Sequence, residues 1–396
     1  MNVMVSSNRI ERRWDHAVFR TFANGDTIQS IAIFRTNLGV QYVLALTETD
    51  IVKLMGETSE TYQYLTDTYT TGAVTDITGA VVTGNVWCQW SASGLAAGDK
   101  FIMDADHSAA IEPDTSWATI SSIDSDTQIT LTASYTGAAG SYKARKIHSV
   151  PSGERWQYAS VNGKFCFVNG NVYGQYWNGT DTYATNINTT YCNQARYCVS
   201  YANRLVIADM YDGDTAARNP WKVRWSAEGD PTDWTDVTSG FNDFIDSEEP
   251  ITGLGVVGTN IIVFKKTSYY LGNRTGEATS PISFSGGGKR GIGLYAPYSL
   301  VHVAGTVAWM GLTDFYYMNG DTAESIGGPI RKKFFELVAD DELKSVFGVN
   351  NGRYNEVLWV ANTSGGQYTF SYNWVEKSWG PYQFSSNLTA LGSAGY

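Results

Sequence analysis

Six short, almost continuously apolar runs recur along the chain: GVQYVLAL (39–46), GKFCFV (163–168), NRLVIAD (203–209), TNIIVFKK (259–266), GTVAWMG (305–311) and YNEVLWVAN (354–362). Each carries an Asn or Gly turn signal at its start, and an unbroken apolar run of this length describes a strand buried on both faces. Another β-rich run precedes each one, respectively TIQSIAIFR, RWQYASV, ARYCVSY, ITGLGVV, YSLVHVA and SVFGVN, so every pair reads as a hairpin. A third strand rich in aromatics follows: DIVKLMG, VYGQYWNG, KVRWSAEG, SYYLGNR, DFYYMNG and YTFSYNW. From the second run onward the steps are 40 to 56 residues. That is the period of propeller blades, in which small antiparallel sheets bury both faces against their neighbours. The expected fold is all-β, a six-bladed β-propeller, six blades being favoured over five or seven.

Composition agrees with strands joined by tight turns. The 396 residues include 40 Gly, 25 Tyr and 13 Trp, and 43% are apolar, enough for a large packed core. A formal net charge of -11 argues against sequence-specific nucleic-acid binding through a basic face. The N-terminal MNVMVSSNRIERRWD lacks the apolar core of a signal peptide, and no segment approaches 18 uncharged apolar residues. The expectation is a chain that does not span a membrane. Cys88, Cys166, Cys192 and Cys198 match no zinc-ribbon or redox spacing and read as reduced and mostly buried.

The interval between the first and second apolar runs is too long for one blade. Residues 66–148 fill it with period-two alternation and turns at Gly98-Asp99 and Ser125-Asp126-Thr127, the pattern of a separate small β barrel or sandwich. The expected organisation is an N-terminal segment and first blade (1–65), an inserted β domain (66–148) and the remaining blades (149–396).

Four stretches taken in order carry a resemblance: WSAEGDPTDW, ITGLGVVGTNIIVFKKTSYYL, GKRGIGLYAPYSLVHVAGTVAWMGLTDFYYMNGD and, in the insert, AAGDKFIMD with ISSIDSDTQITLT. The first three resemble the tail hub or nozzle proteins of short-tailed bacteriophages, including the packaged-DNA stabilisation proteins, over about residues 150–396 and less clearly 15–65. The insert resembles a small β module of phage tail proteins. The resemblance implies a virion protein of the tail, made in the bacterial host cytoplasm. It further implies a homo-hexameric ring below the portal, touching portal or head-to-tail adaptor proteins and further tail proteins. Double-stranded DNA would pass without sequence specificity, retained before ejection and conducted during it. The alternative expectation is a glycan-binding or glycan-cleaving tail appendage for host recognition.

Residue chemistry offers no catalytic constellation, cofactor site or metal site. GGGKRGIG (286–293) departs from a phosphate-binding loop, with Ser283 at the first glycine position and Arg290 where a hydroxyl belongs. It reads as an inter-blade loop, with Lys289 and Arg290 as candidate contacts to DNA phosphate or a tail partner. A second basic group, Arg331, Lys332 and Lys333, lies in GPIRKKFFELVADDELKSVF (328–347), expected to form a short helix outside a blade. Asp209, Asp212 and Asp214 lack EF-hand spacing and read as a solvated loop. The neighbouring carboxylates Glu248-Glu249 and Asp340-Asp341 point apart, unlike a glycosidase pair. Finally, RWSAEGDPTDWTD (224–236) reads as a structural corner, with Trp225 closing a strand, Asp230-Pro231 turning the chain and Trp234 covering the blade edge.

Overall fold

In the computed structural model, residues 3–6, 9–12, 18–21, 27–54, 62–66, 68–107, 117–284, 288–382 and 388–392 are described. The protein is all-β and contains a six-bladed propeller arrangement. Each blade is an antiparallel sheet whose strands follow one another in chain order. Blade 1 covers residues 28–64, blade 2 157–186, blade 3 197–243, blade 4 251–290, blade 5 301–325 and blade 6 347–382. The predicted apolar runs are the second strands: Asn260–Lys265, for example, is buried at every residue after the first. Its position explains the sequence, since one face meets blade 3 and the other blade 5.

The first strands line the axis. Gln157–Val161 packs on Tyr197–Tyr201, which packs on Ile251–Val257, and Val301–Val303 packs on Phe347–Asn351. The circuit between blades 6 and 1 holds one more four-stranded sheet, drawn from both ends of the chain. Leu388–Gly392 pairs antiparallel with Val3–Ser6, followed outward by Arg9–Arg12 and Val18–Thr21. Its Leu388–Gly392 strand packs against both Phe347–Asn351 and Ile28–Arg35, so it takes an inner position beside the blades.

The insert leaves blade 1 after its fourth strand. Seven strands between Thr68 and Arg145 form one sheet, and a bridge between Val74 and Gly140 folds its last strand back beside the other edge. Trp90 is fully buried at its centre and donates through Nε1 to the Tyr142 hydroxyl at 2.8 Å, which in turn donates to the Thr71 carbonyl at 2.7 Å. Entry and exit strands pair directly, Thr68 with Arg145 and Tyr69 with Ala144. Arg145 pins this root to blade 1 through a buried ion pair with Asp50, its guanidinium 3.7 Å from the Tyr64 ring.

The expected helix is shorter than its sequence pattern. Arg331–Leu337 is helical and Leu343–Ser345 is a single tight turn, with the chain extended at Val338. Phe334 anchors the helix between blades 5 and 6, against Phe315 and Phe370. All four cysteines are buried and unpaired.

Candidate functional site

The corner at 224–236 joins three blades. Trp225 ends the strand Ala217–Trp225 and buries its ring in the cluster shared by blades 3 and 4, with Leu254, Ile261 and Val263. Its cross-strand partner must be glycine: a Cβ on Gly240 would lie 2.8 Å from the Trp225 ring. Trp234 points to the opposite face of blade 3, into the cluster with Val161, Cys166 and Val168 of blade 2. It also donates from Nε1 to the Pro231 carbonyl at 2.9 Å, so the turn and the ring fix each other.

The turn chemistry repeats three times in nine residues. Asp230, Asp233 and Asp236 each accept the backbone N–H of the threonine two positions on, Thr232, Thr235 and Thr238, at 2.8 to 3.0 Å. Each also accepts that threonine's hydroxyl, at 2.6 to 3.1 Å. The threefold Asp-x-Thr in DPTDWTDVT is the signal for this, and reading the stretch for its tryptophans alone passes over it. Asp230 additionally accepts from Lys164 of blade 2 at 2.8 Å. Burial raises the Asp230 carboxyl, but the Lys164 and Thr232 bonds together outweigh it and leave its pKa below the ordinary value.

The two basic groups occupy different places. Lys289–Arg290 is a two-residue strand on the outer side of blade 4, pairing with Ser268 and Tyr269. Lys289 and Arg290 are exposed, and the Lys289 ammonium donates to the Asp321 carbonyl of blade 5 at 3.0 Å. Part of the preceding glycine run, residues 285–287, lies outside the described residues. Arg331, Lys332 and Lys333 occupy the exposed first turn of the short helix. Arg331 pairs with the buried Asp314 at 3.2 Å and Lys332 lies 3.9 Å from Glu336, while Lys333 faces solvent. Among the described residues neither Arg290, on blade 4, nor Lys333, on the helix between blades 5 and 6, has an acidic partner.

The aspartate-rich segment is only in part the solvated loop its sequence suggests, with Asp214 exposed at the turn. Asp209 and Asp212 are each 1% exposed. Asp209 pairs with Arg218 at 2.8 Å and Arg196 at 3.2 Å. Asp212 pairs with Lys222 and with Arg224 at 3.4 Å, and Arg224 reaches Asp214 at 2.8 Å. The hairpin is the cause: Ala217–Trp225 runs back beside Arg204–Asp212 and sets its cations opposite those acids. These carboxylates are committed to cations, and among the described residues no group of three His, Cys, Asp or Glu is placed to hold a metal. Glu249 caps a turn by accepting the N–H and hydroxyl of Thr267 at 3.1 and 2.9 Å. Asp340 and Asp341 are exposed.

No family model matches the chain, and no curated protein does. Solved structures of similar shape include apo AztD from Citrobacter koseri, at 10% identity and TM-score 0.43, covering 97% of this chain and 82% of that one. A nidogen/laminin complex matches at 9% identity and TM-score 0.38, covering 99% and 97%. BamB from Moraxella catarrhalis matches at 8% identity and TM-score 0.38, covering 94% and 79%.

Proposed function

We propose that this protein is a structural component of a short-tailed phage virion, a tail hub or nozzle. In this reading copies of the chain form a six-membered ring around the DNA channel below the portal, hold packaged DNA in and conduct it out. The observation that carries the proposal is the corner WSAEGDPTDW followed by the blade strands ITGLGVVGTNIIVFKK and GTVAWMG, on which the family resemblance rests. Two further features support it. A seven-stranded β insert after blade 1 is in keeping with the tail-module resemblance of that segment. The net charge of -11 suits a conduit to which DNA must not adhere. Assembly is mechanical in this account, without bond chemistry, and head-to-tail contacts close the ring. Arg290 and Lys333 serve as contacts to neighbouring tail proteins or to DNA phosphate.

The test is depletion. Particles assembled without this chain should fill with DNA and then lose it, read as nuclease-accessible genome, and regain retention when the chain is supplied. Particles that keep their DNA and complete their tails without it would refute the proposal.

One observation favours the second reading, a glycan-binding appendage. A cavity of about 380 Å³ at the junction of insert and propeller is lined by Asn171, Tyr173, Asn186, Asn193 and Gln194 among others. Amides beside a tyrosine suit sugar hydroxyls. Saturable binding on a host-glycan array, lost in Asn186→Ala with Asn193→Ala, would move the assignment to this class.

A further inference from the structure

The first strands of all six blades wall an axial cavity of about 290 Å³. Gln29 and Ser30 of blade 1, Arg155 and Tyr158 beside and within the first strand of blade 2, His302 of blade 5 and Asn350 of blade 6 contribute polar groups. In a chain with 39 acidic and 28 basic residues, the described residues of this wall include one cation, Arg155, and no carboxylate.

Arg155 is held firmly yet left without a counter-charge. Its Nη1 donates to the carbonyls of Gln29 and Thr389, both at 2.8 Å, and its guanidinium lies 4.2 Å from the Phe347 ring. These neutral contacts fix the group's orientation. The adjacent Glu154 does not serve it: that carboxylate accepts from the Tyr298 hydroxyl and pairs with Arg196 at 3.4 Å. Burial lowers the Arg155 pKa to about 10, so the group still carries its charge at neutral pH. A fixed cation in a confined space, with no acid facing it, is a site for an anion.

Two further polar atoms of the lining residues stand unpaired among the described residues. Gln29 Oε1 and Asn350 Oδ1 are buried acceptors without a hydrogen-bond partner. Each costs stability until a donor reaches it. The Asn350 amide nitrogen is occupied, donating to the His302 carbonyl at 3.0 Å, and His302 Nε2 accepts the Val256 N–H at 3.2 Å. Neither oxygen is open to the cavity, so the ligand is set by the cation alone.

We infer that the axial cavity binds a small oxyanion, with Arg155 as its charge partner. Inorganic phosphate and small carboxylates share this chemistry, and a volume of about 290 Å³ suits molecules of that size. The site lies on the propeller axis, so it is independent of any conduit formed between subunits.

Isothermal titration calorimetry on the full chain, with inorganic phosphate in one arm and gluconate in the other, tests this at neutral pH. Saturable one-site binding of at least one probe is expected, and the arm that responds identifies the source. Arg155→Gln should weaken it at least tenfold, while Lys289→Gln with Arg290→Gln should leave it unchanged. Asn350→Asp, which sets a carboxylate in the wall, should weaken it likewise and carries the test if Arg155→Gln does not fold. Absence of saturable binding in both arms, or unchanged affinity in the folded wall variants, would overturn the inference.

Discussion

At the scale of single residues, the most consequential side chains are those that serve two neighbours at once. Trp234 fills the contact between blades 2 and 3 while bonding the turn that delivers it. Trp234→Ala should cost about 3–5 kcal/mol, measured by urea unfolding, because it leaves a large void in a packed cluster and frees the Pro231 carbonyl. Lys222→Met should cost about 3 kcal/mol in the same assay, since it strips a partner from the buried Asp212. Asp212 and Asp230 also set a pH dependence. For both, burial alone raises the carboxyl, and bonds from Lys222 and Asp214 N–H, or from Lys164 and Thr232, bring it below the ordinary value. A depressed folded pKa gives stability that is present above the unfolded value of about 3.9 and lost as pH falls through the folded one. Urea midpoints should therefore drop below about pH 4, and the drop should be shallower in Asp230→Asn.

At the scale of elements, sequence legibility followed burial. The second strand of each blade is apolar on both faces because another blade covers each side, so VLAL, FCFV and IIVF stand out without any knowledge of the ring. The outermost strands, such as Gly240–Asp243 and Thr322–Ser325, face water on one side, are short and leave no such trace. The acidic hairpin misleads for a different reason: Asp209 and Asp212 look solvated until the returning strand Ala217–Trp225 brings Arg218, Lys222 and Arg224 within ion-pair reach of them. Arg155 is equally silent in sequence, since its place on the axis depends on strands more than a hundred residues away. The insert makes a prediction of its own. Its entry and exit strands are paired neighbours, so replacing residues 68–145 with a short Gly/Ser linker should leave a cooperatively unfolding propeller with its β circular dichroism intact. Loss of the cooperative transition would show that the insert is required for the ring to fold.

At the scale of the whole molecule, the circuit includes a sheet that joins strands far apart in sequence. Val3–Ser6 and Leu388–Gly392 are strands of one sheet, and the latter packs on the inner strands of blades 6 and 1. Ending the chain before residue 388 removes that strand from the circuit and strips Arg155 of the Thr389 carbonyl. Such a truncation should lower the urea midpoint, and an unchanged midpoint would mean the six blades hold the ring by themselves. Among the described residues no helix is long and apolar enough to cross a membrane. The functional proposal also belongs to this scale, because a nozzle is a property of an assembly. Its most direct test is cryo-electron microscopy of the virion that carries this chain. The proposal predicts a ring of six 43.5 kDa chains on the tail axis below the portal, encircling the DNA path. Density for this propeller only on peripheral fibres, or none in the particle, would contradict it.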